Sequence, residues 1–432
     1  MYNFNMKKLK YDVVIIGGGT SGCACAYNCA KNNLKTLLVE KNNFLGGLMT
    51  AGLVVPVMRS SCEDLNCDYY KKLVDTSKKY NAQITYQGNN DGWFNPELLK
   101  IIFDDILSEN KISKNLDILF ETDVKEVKLR EKKIEYVILN SRLLSIPIYS
   151  SYFVDATGIG ALSKLAGCHF LDDTEIKQQN SLRFILGNVD TEKFCKFIES
   201  VDLDRDITNT YRNDIYTNNE LHFTTACTWD TNKKWALDEY LKKGVEEGLL
   251  NEGDRAYFQV FSIAAGHGQV AFNCPRINNF NDNPYKYSNE LIVARKAIYR
   301  LYKFVKAFFP GFENAVISNI AAQTGIREEG RVKSRYIYTK DDLISSNTFE
   351  NPVLSANYSI DIHSDKKNKS VLQKTSVYQL PIESLISAEV NNLFTIGKLV
   401  GADFNAHSAL RVQKSCMSMG EAVGKYIAKI IS

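Results

Sequence analysis

The stretch that decides the fold spans residues 11–41 and reads YDVVIIGGGTSGCACAYNCAKNNLKTLLVEK. Its pattern predicts a buried strand, a helix and a second strand, over residues 11–16, 20–32 and 35–40. Between the first strand and the helix, Gly17, Gly19 and Gly22 have G-x-G-x-x-G spacing. This spacing is typical of a dinucleotide-binding βαβ unit, in which the helix N-terminus faces a pyrophosphate.

Each glycine of this turn has its own physical role. Gly17 permits the tight turn, Gly19 lets the backbone approach the pyrophosphate, and Gly22 permits close packing of the helix on the sheet. Glu40 stands at the end of the second strand, where a carboxylate binds ribose hydroxyls and repels the 2′-phosphate of NADP. NAD and FAD both remain compatible with this signature.

Later segments separate these two cofactors. Gly46 and Gly47 follow Glu40 closely, and further turns follow predicted strand ends at Asp155 and just before Gly397. A NAD site needs only the first half of the fold and a nicotinamide pocket. An extended FAD also needs strands that return from much later in the chain, so the sequence predicts FAD.

The remaining segments predict the surrounding architecture. Asn95 begins a helix, residues 116–121 form a further parallel strand, and residues 131–133 form the turn of a β-hairpin. From residue 170 to 375 the alternating, aromatic-rich pattern indicates an antiparallel sheet, followed by a long amphipathic helix over 288–309.

A middle segment carries a family resemblance. The stretch AAQTGIREEGRVKSRYIYTKDDL contains Gly325, Arg327, Glu328 and Arg331 in a G-[IV]-R-E-x-x-R pattern. With the glycine turns, it makes nearly the whole chain resemble the FAD-dependent oxidoreductase family, which is related to glutathione-reductase-type and fumarate-reductase-like flavoproteins. The resemblance implies an α/β fold with a discontinuous, doubly wound, Rossmann-like FAD domain and an inserted, mainly antiparallel β plus helix substrate domain. We expect the FAD domain at 1–170 and 376–432 and the substrate domain at 171–375.

The resemblance also implies a set of cofactor contacts. They follow the FAD from its pyrophosphate through the adenosine to the flavin, and comprise Gly17, Gly19, Thr20, Ser21, Gly22, Glu40, Lys41, Gly46, Gly47, Leu48, Thr50, Val124 (through its backbone to adenine), Ala156, Thr157, Gly158 and Gly397. Arg411 either adds positive charge beside the flavin or forms a surface ion pair.

Candidates for the chemistry lie in three places. His407 is the leading acid–base candidate, with a histidine bonded only to the backbone of its loop as the alternative. Arg327 and Arg331 either clamp a substrate carboxylate or tie the two domains together through neighbouring glutamates. His267 lies between glycines, in a loop suited to approach a ligand.

The last loop departs from the family pattern. Where members of the family often have H-x-A-H-G-S-x-R, this chain has Phe404 in the first position and Ser408 in the glycine position. These two departures put a shared catalytic assignment of the loop in doubt.

Composition limits the partners and the compartment. The chain has 432 residues and a net charge of +3, which leaves no basic footprint for nucleic acid. No apolar run approaches the roughly 20 residues of a membrane span. We therefore expect a cytoplasmic protein that binds a small-molecule substrate and does not bind nucleic acid.

The ten cysteines form no C-x-x-C pair. Cys23, Cys25 and Cys29 are expected to pack a helix against its sheet, with a metal site as the alternative, and no resident metal is predicted. Cys62 and Cys67 have C-x4-C spacing, but they lie well beyond the glycines that such a redox pair directly follows in disulfide-reducing flavoenzymes.

The predicted activity is hydride transfer between a small organic substrate and flavin N5. No second G-x-G-x-x-G follows a strand, so electrons must be exchanged with a diffusing molecule or an electron-transfer partner. Two alternatives stay open: a flavin-dependent RNA-modifying enzyme, which the balanced charge disfavours, and a non-catalytic nucleotide-binding protein.

Overall fold

The structure is a computed structural model that describes residues 9–58, 64–85, 92–202, 208–212, 221–225, 235–255, 257–278, 283–364 and 370–432. The strands in chain order are β1 (Leu9–Ile16), β2 (Thr36–Val39), β3 (Gln83–Thr85), β4 (Gly92–Phe94), β5 (Leu116–Leu119), β6 (Thr122–Arg130), β7 (Lys133–Ser141), β8 (Leu144–Asp155), β9 (Asn180–Ser181), β10 (Phe184–Gly187), β11 (Thr208–Arg212), β12 (Leu221–Thr225), β13 (Val260–Ser262), β14 (Val270–Phe272), β15 (Arg276–Ile277), β16 (Val316–Ile320), β17 (Pro352–Ala356), β18 (Ile360–Ile362), β19 (Val371–Gln373), β20 (Tyr378–Pro381) and β21 (Leu393–Thr395).

The helices are α1 (Thr20–Lys31), α2 (Asp68–Lys79), α3 (Pro96–Ser108), α4 (Asn110–Ser113), α5 (Ala161–Leu165), α6 (Thr191–Val201), α7 (Asp238–Glu246), α8 (Glu252–Arg255), α9 (Pro284–Phe308), α10 (Lys340–Ile344), α11 (Phe404–Leu410) and α12 (Gln413–Ile431). Short 3-10 turns lie at Gly47–Met49, Ile382–Leu385 and Gly397–Leu399.

A seven-stranded, mostly parallel sheet forms the first half of the fold. Strands β5-β2-β1-β8 are parallel, β21 pairs in parallel with the end of β8, and β7 and β6 continue the sheet beyond β8 as antiparallel strands. The apolar residues of β1 are buried on both faces, as in a sheet covered by helices on two sides. The predicted doubly wound α/β core is confirmed.

Helix α1 lies against α12 at very short range. A Cβ atom added to Gly420 would lie 2.1 Å from the carbonyl oxygen of Ser21, and one added to Gly424 would lie 2.8 Å from Cβ of Asn28. Only glycine permits this approach, so the C-terminal helix fixes the position of the glycine turn at the start of α1.

Most sequence-predicted elements of this half are present. Asn95 caps α3 by accepting hydrogen bonds from the backbone of Glu97 and Leu98, at 3.0 and 3.1 Å. The hairpin β6–β7 turns at Glu131 and Lys132, both at positive φ. Helix α9 begins at Pro284, four residues before the predicted start at 288, because Asn283 and Pro284 give it the same start signal as α3.

The second half is an antiparallel sheet of six strands in the order β11-β12-β13-β14-β10-β16. It was predicted from the alternating pattern of residues 170–375. Its core is rich in aromatic rings; Phe184 and Phe272, for example, stack with centroids 4.4 Å apart.

Each hydrophobic core contains residues from both predicted domains. Leu53, Val55, Ile84 and Trp93 pack in the core of the antiparallel sheet. The segment around β17 and β18 packs instead in the core under the parallel sheet. The two halves therefore exchange segments, and the predicted boundaries at 170 and 375 stay a prediction.

Candidate functional site

The carboxyl ends of four parallel strands meet at one cavity. The strands are β1, β2, β8 and β21, and each is followed by a turn whose residues line a cavity of about 150 Å³. From these turns and the helix starts that follow them come Gly17, Gly19, Thr20, Ser21, Glu40, Lys41, Gly47, Leu48, Ala156, Thr157, Gly158 and Gly397, all predicted cofactor residues, and Arg411, also predicted, reaches the cavity from the end of α11. The separate glycine turns of the sequence thus converge in space.

The first turn leaves room where a phosphate group would enter. A Cβ atom on Gly17 would lie 2.6 Å from the backbone of Ala156, and one on Gly22 would lie 1.9 Å from the oxygen of Gly17, so both glycines serve packing. A Cβ atom on Gly19 would meet nothing closer than Cα of Gly47, at 4.0 Å.

Gly19 is also the N-cap of α1, and no side chain caps that end of the helix. The first backbone N–H groups of α1 therefore lack the partner that a capping side chain would supply, and the helix dipole adds positive potential. A pyrophosphate fits this cradle.

Glu40 fits the ribose side of such a ligand. Its carboxylate accepts hydrogen bonds from the backbone of Gly18 at 2.7 Å and of Asn42 at 2.8 Å. Burial raises the pKa of Glu40, and these two N–H groups oppose the shift. The held carboxylate retains acceptor capacity toward the cavity that it lines.

The turn after β8 is fixed by Asp155. This fully buried carboxylate accepts hydrogen bonds from the hydroxyls of Thr157 and Ser163, each at 2.7 Å. Gly158 then passes beside Lys398, because a Cβ atom there would lie 3.0 Å from Cε of that lysine. The turn thereby forms the part of the cavity wall between the glycine turn and Lys398.

Four predicted cofactor residues do not line the cavity: Gly22, Gly46, Thr50 and Val124. Gly46 packs against the ring of Phe103, and the hydroxyl of Thr50 donates to the carbonyl of Leu45 at 2.7 Å. These two residues hold the shape of the turn through contacts outside the cavity. Near Val124 the cavity wall is formed by its neighbours Thr122 and Asp123.

A second, larger cavity of about 660 Å³ adjoins the first. Both are lined by Leu48, Lys398, Arg411 and Gln413. Side chains from the antiparallel half, including Tyr257, Gln259 and Asn273, form the far wall. Gln259 and Asn273 flank the hairpin formed by β13 and β14, so the open end of this hairpin reaches the cavity.

Lys398 marks the junction of the two cavities, and the sequence reasoning did not single it out. Its ammonium group donates to the carbonyl of Ile326 at 2.7 Å. Burial lowers its pKa to about 8, with Arg411 and Lys41 adding to the shift and Glu329 and Cys416 opposing it. Its position directly after Gly397, at the end of a parallel strand, is the signal that would have found it.

An ion-pair network lines one side of the larger cavity. Arg411 donates to the carbonyl of Asp361 at 3.0 Å and lies 3.4 Å from its carboxylate. Nε2 of His363 lies 3.3 Å from the other oxygen of that carboxylate, and Nδ1 lies 3.2 Å from Nη2 of Arg276. The predicted alternative for Arg411, a surface ion pair, is therefore wrong in its location, since the pair is buried beside the cavities.

His407 lies outside both cavities. It is fully buried in α11, and its Nε2 lies 2.9 Å from the carbonyl oxygen of Lys398. Burial lowers its pKa to about 3, and Arg331 adds to the shift. The geometry matches the alternative role, a histidine bonded to the backbone of its loop, and supports no acid–base contact with a ligand.

The two arginines of the G-I-R-E motif have different surroundings. Arg331 is 2% exposed and donates to the carboxylates of Asp173 at 3.0 Å and Glu328 at 2.8 Å, and to the carbonyl of Ala402 at 2.9 Å. It thus ties chain segments together, whereas Arg327 lines the larger cavity.

His267 is placed away from the site. It is exposed, at positive φ, in the turn between β13 and β14, and it is not among the described residues that line either cavity. The open end of this hairpin, at Tyr257 and Asn273, faces the larger cavity instead. A catalytic contact for His267 is not supported by this placement.

The structure tests the prediction for one group of cysteines and leaves the other untested. Cys23, Cys25 and Cys29 are fully buried in the helical core, as expected for packing residues. Cys67 is buried at the start of α2, while Cys62 lies outside the described residues, so the argument against a redox pair stays a prediction. Over the part of the chain that the structure describes, no helix has both the length and the apolarity to cross a membrane.

Comparisons with known proteins match nearly the full chain to one family. A family model described as FAD dependent oxidoreductase matches residues 12–432. Thiamine thiazole synthase of Methanococcus aeolicus is 26% identical over 168 residues, which cover 36% of this chain and 58% of that protein. Mitochondrial glycerol-3-phosphate dehydrogenase of Rattus norvegicus is 47% identical over 38 residues, or 9% of this chain and 5% of that enzyme. The chain thus spans less than two thirds of either relative.

Solved structures are similar at low identity. A geranylgeranyl bacteriochlorophyll reductase-like protein from Thermoplasma acidophilum has a TM-score of 0.47 at 13% identity, over 98% of this chain and 78% of that chain. L-Proline dehydrogenase from P. horikoshii has a TM-score of 0.44 at 15% identity, over 99% and 94%. Both scores lie below 0.5, so the fold rests on the topology described above.

Proposed function

The chain belongs to the FAD dependent oxidoreductase family, and on that premise we propose that it transfers a hydride between a small organic substrate and N5 of the flavin. The observation that carries the proposal is the junction of the two cavities at Lys398 and Arg411. A cofactor held at the glycine turns would extend to this junction, and a substrate in the larger cavity would meet it there.

FAD, when bound, supplies the two-electron acceptor and donor that amino-acid side chains lack. The chain's own residues would bind the FAD and orient it. The open cradle at Gly19 and the N-terminus of α1 would hold the pyrophosphate, and Glu40 would hold the ribose. Lys398 and Arg411 place positive charge at the junction, where it favours negative charge on either partner.

The walls of the larger cavity come from both halves of the fold. Val54, Pro56 and Val57 line it from the segment after the glycine turns, and Tyr257, Gln259 and Asn273 line it from the antiparallel half. Such a cavity, apolar on one side and polar on the other, suits a small organic molecule. The electron acceptor or donor of the second half-reaction would be a diffusing molecule or a partner protein that visits the same face.

The first experiment measures the cofactor. Purified protein is expected to show flavin absorption bands and to release one FAD per chain on denaturation. The bound flavin is expected to be reduced by dithionite or by light with a sacrificial donor. A protein that takes up no added FAD would refute the proposal.

The second experiment measures turnover. We expect one member of a panel of small organic metabolites to bleach the flavin anaerobically, or to reoxidise it when reduced. A bound flavin that neither dithionite nor light reduces would favour the non-catalytic alternative. Salt-sensitive RNA binding would favour the RNA-modifying alternative.

A further inference from the structure

Arg183 is a buried cation with unused hydrogen-bond donors. It directly precedes β10, is 7% exposed and lines the larger cavity. Its Nε and Nη1 atoms have no hydrogen-bond partner among the described residues. Burying a charged group without partners is costly, so a guanidinium held in this way needs a counter-charge from elsewhere.

The neighbouring groups do not supply that counter-charge. Burial lowers the pKa of Arg183 to about 10, and repulsion from Arg276 and Arg411 adds to the shift. Among the described residues, no carboxylate lies within ion-pair distance of Arg183 or of Arg327, which lines the same cavity.

The cavity as a whole carries excess positive charge. The part of the chain that the structure describes contributes four cations and one carboxylate to its lining: Arg183, Arg327, Lys398, Arg411 and Asp361. Asp361 is already engaged, since its carboxylate lies 3.4 Å from Arg411, 3.3 Å from His363 and 3.1 Å from the hydroxyl of Tyr358. Within the described ranges, Arg183, Arg327 and Lys398 face the cavity with no carboxylate at ion-pair distance.

The missing anion is not the cofactor's pyrophosphate. Arg183 lines only the larger cavity, whereas the glycine turn that fits a pyrophosphate lies in the smaller one. Lys398, Arg411, Gln413 and Leu48 stand between them. An anion beside Arg183 therefore belongs to a second ligand.

We propose that the substrate is a small molecule with a carboxylate or phosphate group, and that Arg183 binds this group in the larger cavity. The assignment rests on the proposed function, because it names the substrate class of the same site. Arg327 and Arg411 add to the field at the oxyanion, and a charge-assisted hydrogen bond from a guanidinium is among the stronger polar contacts in proteins. Neutral molecules of the same size lack this interaction.

The test uses the FAD-loaded protein. Acetate, succinate and inorganic phosphate are titrated separately, with acetamide as the neutral analogue of acetate, and binding is followed by calorimetry and by the shift of the flavin absorption bands. We expect at least one oxyanion to bind and acetamide not to bind. The carboxylate and phosphate arms separate the two sources of the anionic group.

Variants assign the binding to Arg183. Arg183→Met and Arg183→Gln are expected to weaken the oxyanion roughly 10- to 100-fold, and Arg183→Lys less, because a point charge remains without the planar fork. The control is Arg142→Met, since Arg142 is exposed, pairs with Glu121, and is not among the described residues that line either cavity. We expect this control to bind as the wild type does.

Stability gives a second, independent readout. Because an unpaired buried charge is removed, Arg183→Met is expected to raise the melting temperature of the anion-free protein, while saturating oxyanion raises that of the wild type only. Equal binding of all four probes, or wild-type affinity in both Arg183→Met and Arg183→Gln, would overturn the assignment.

Failure of this assignment differs from failure of the proposed function. A holoprotein with reducible flavin that binds no oxyanion contradicts the assignment alone. A protein without FAD contradicts the proposed function.

Discussion

At the residue scale, burial decides which ionisable groups are available for chemistry. His407 is the leading acid–base candidate from its loop position, yet it is fully buried, and Nε2 of its imidazole lies 2.9 Å from the backbone carbonyl oxygen of Lys398. Lys398 itself faces both cavities. A sequence shows which residues can ionise, but the depth of each side chain depends on packing that residues far along the chain provide.

Buried neutral histidines make the fold sensitive to acid. The pKa of His407 falls from 6.5 to about 3 on folding, and that of His222 to about 4, in both cases through burial. The unfolded chain then binds more protons than the folded one as pH falls below 6.5. Stability is therefore full above that value and is lost toward the folded pKa, by about 2 kcal/mol per histidine between pH 7 and pH 5.

We accordingly expect His407→Gln to reduce the loss of unfolding free energy between pH 7 and pH 5, measured by urea denaturation. The control is His169→Gln, because His169 is exposed beside Glu389. An unchanged pH slope in His407→Gln would show that His407 is not held neutral by the fold.

The lowered pKa of Lys398 predicts that oxyanion affinity decreases as the pH rises. With its pKa lowered to about 8 by burial, the ammonium is charged below that value and neutral above it. Oxyanion affinity in the holoprotein is therefore expected to fall several-fold between pH 7 and pH 9. The measurement is calorimetric titration of the best oxyanion probe over this range.

Two variants test the Lys398 assignment. Lys398→Met should abolish the pH dependence, and Lys398→Arg should shift it above pH 9, because a guanidinium stays charged. Lys100→Met, on the exposed face of α3 beside Glu97, serves as the control. A pH profile that is the same in wild type and Lys398→Met would contradict the prediction.

At the element scale, local signals predicted the regular structure and failed where its ends depend on tertiary contacts. The Asn-Pro pair predicts the start of α3, and the same pair starts α9 at Pro284, four residues before the start at 288 that its apolar pattern predicts. The break between α11 and α12 around Arg411 was not predicted. It occurs where that side chain bonds to Asp361, a contact that no local pattern contains.

The start of α1 offers a test at this scale. Gly19 has φ −70° and ψ −178°, a conformation that any residue adopts, and a side chain there would enter the cavity. Gly19→Asp should cap α1 and raise the unfolding free energy of the apoprotein by a few tenths of a kcal/mol. It should weaken FAD by roughly 100-fold or more, because it places a carboxylate beside the pyrophosphate.

Gly19→Asn separates charge from size. It caps the helix without the charge, so we expect a weaker loss of FAD affinity than in Gly19→Asp, measured by fluorescence titration of apoprotein. Gly253→Asp is the control, because a Cβ atom at Gly253 meets nothing within 4 Å. If Gly19→Asp bound FAD as tightly as wild type, the pyrophosphate would not lie at this turn.

At the scale of the whole molecule, the convergence of the glycine turns was predictable and the larger cavity was not. The carboxyl ends of parallel strands must share one edge, so the turn after each strand could be assigned to one site from topology alone. Arg183, Arg327 and Arg411 come from unrelated segments and meet only through the packing of two sheets. No spacing in the sequence encodes that meeting.

Because the smaller cavity joins four distant segments, bound FAD should stabilise the entire fold. At free FAD 100 times the Kd, linkage adds about 2.7 kcal/mol to the unfolding free energy. We expect the melting temperature of the apoprotein to rise with FAD concentration and to rise much less with Gly19→Asp. Scanning calorimetry of both proteins makes the measurement, and a melting temperature independent of FAD would contradict it.

The exchange of segments between the two cores has a consequence for recombination. Leu53, Val55, Ile84 and Trp93 belong by sequence to the first half and by packing to the second. A chimera that grafts residues 171–375 onto another scaffold would leave these four side chains behind and open a gap in the grafted core. A graft must therefore also include residues 53–93. The residues that form the substrate cavity in this fold cannot be exchanged without part of the half that binds the cofactor.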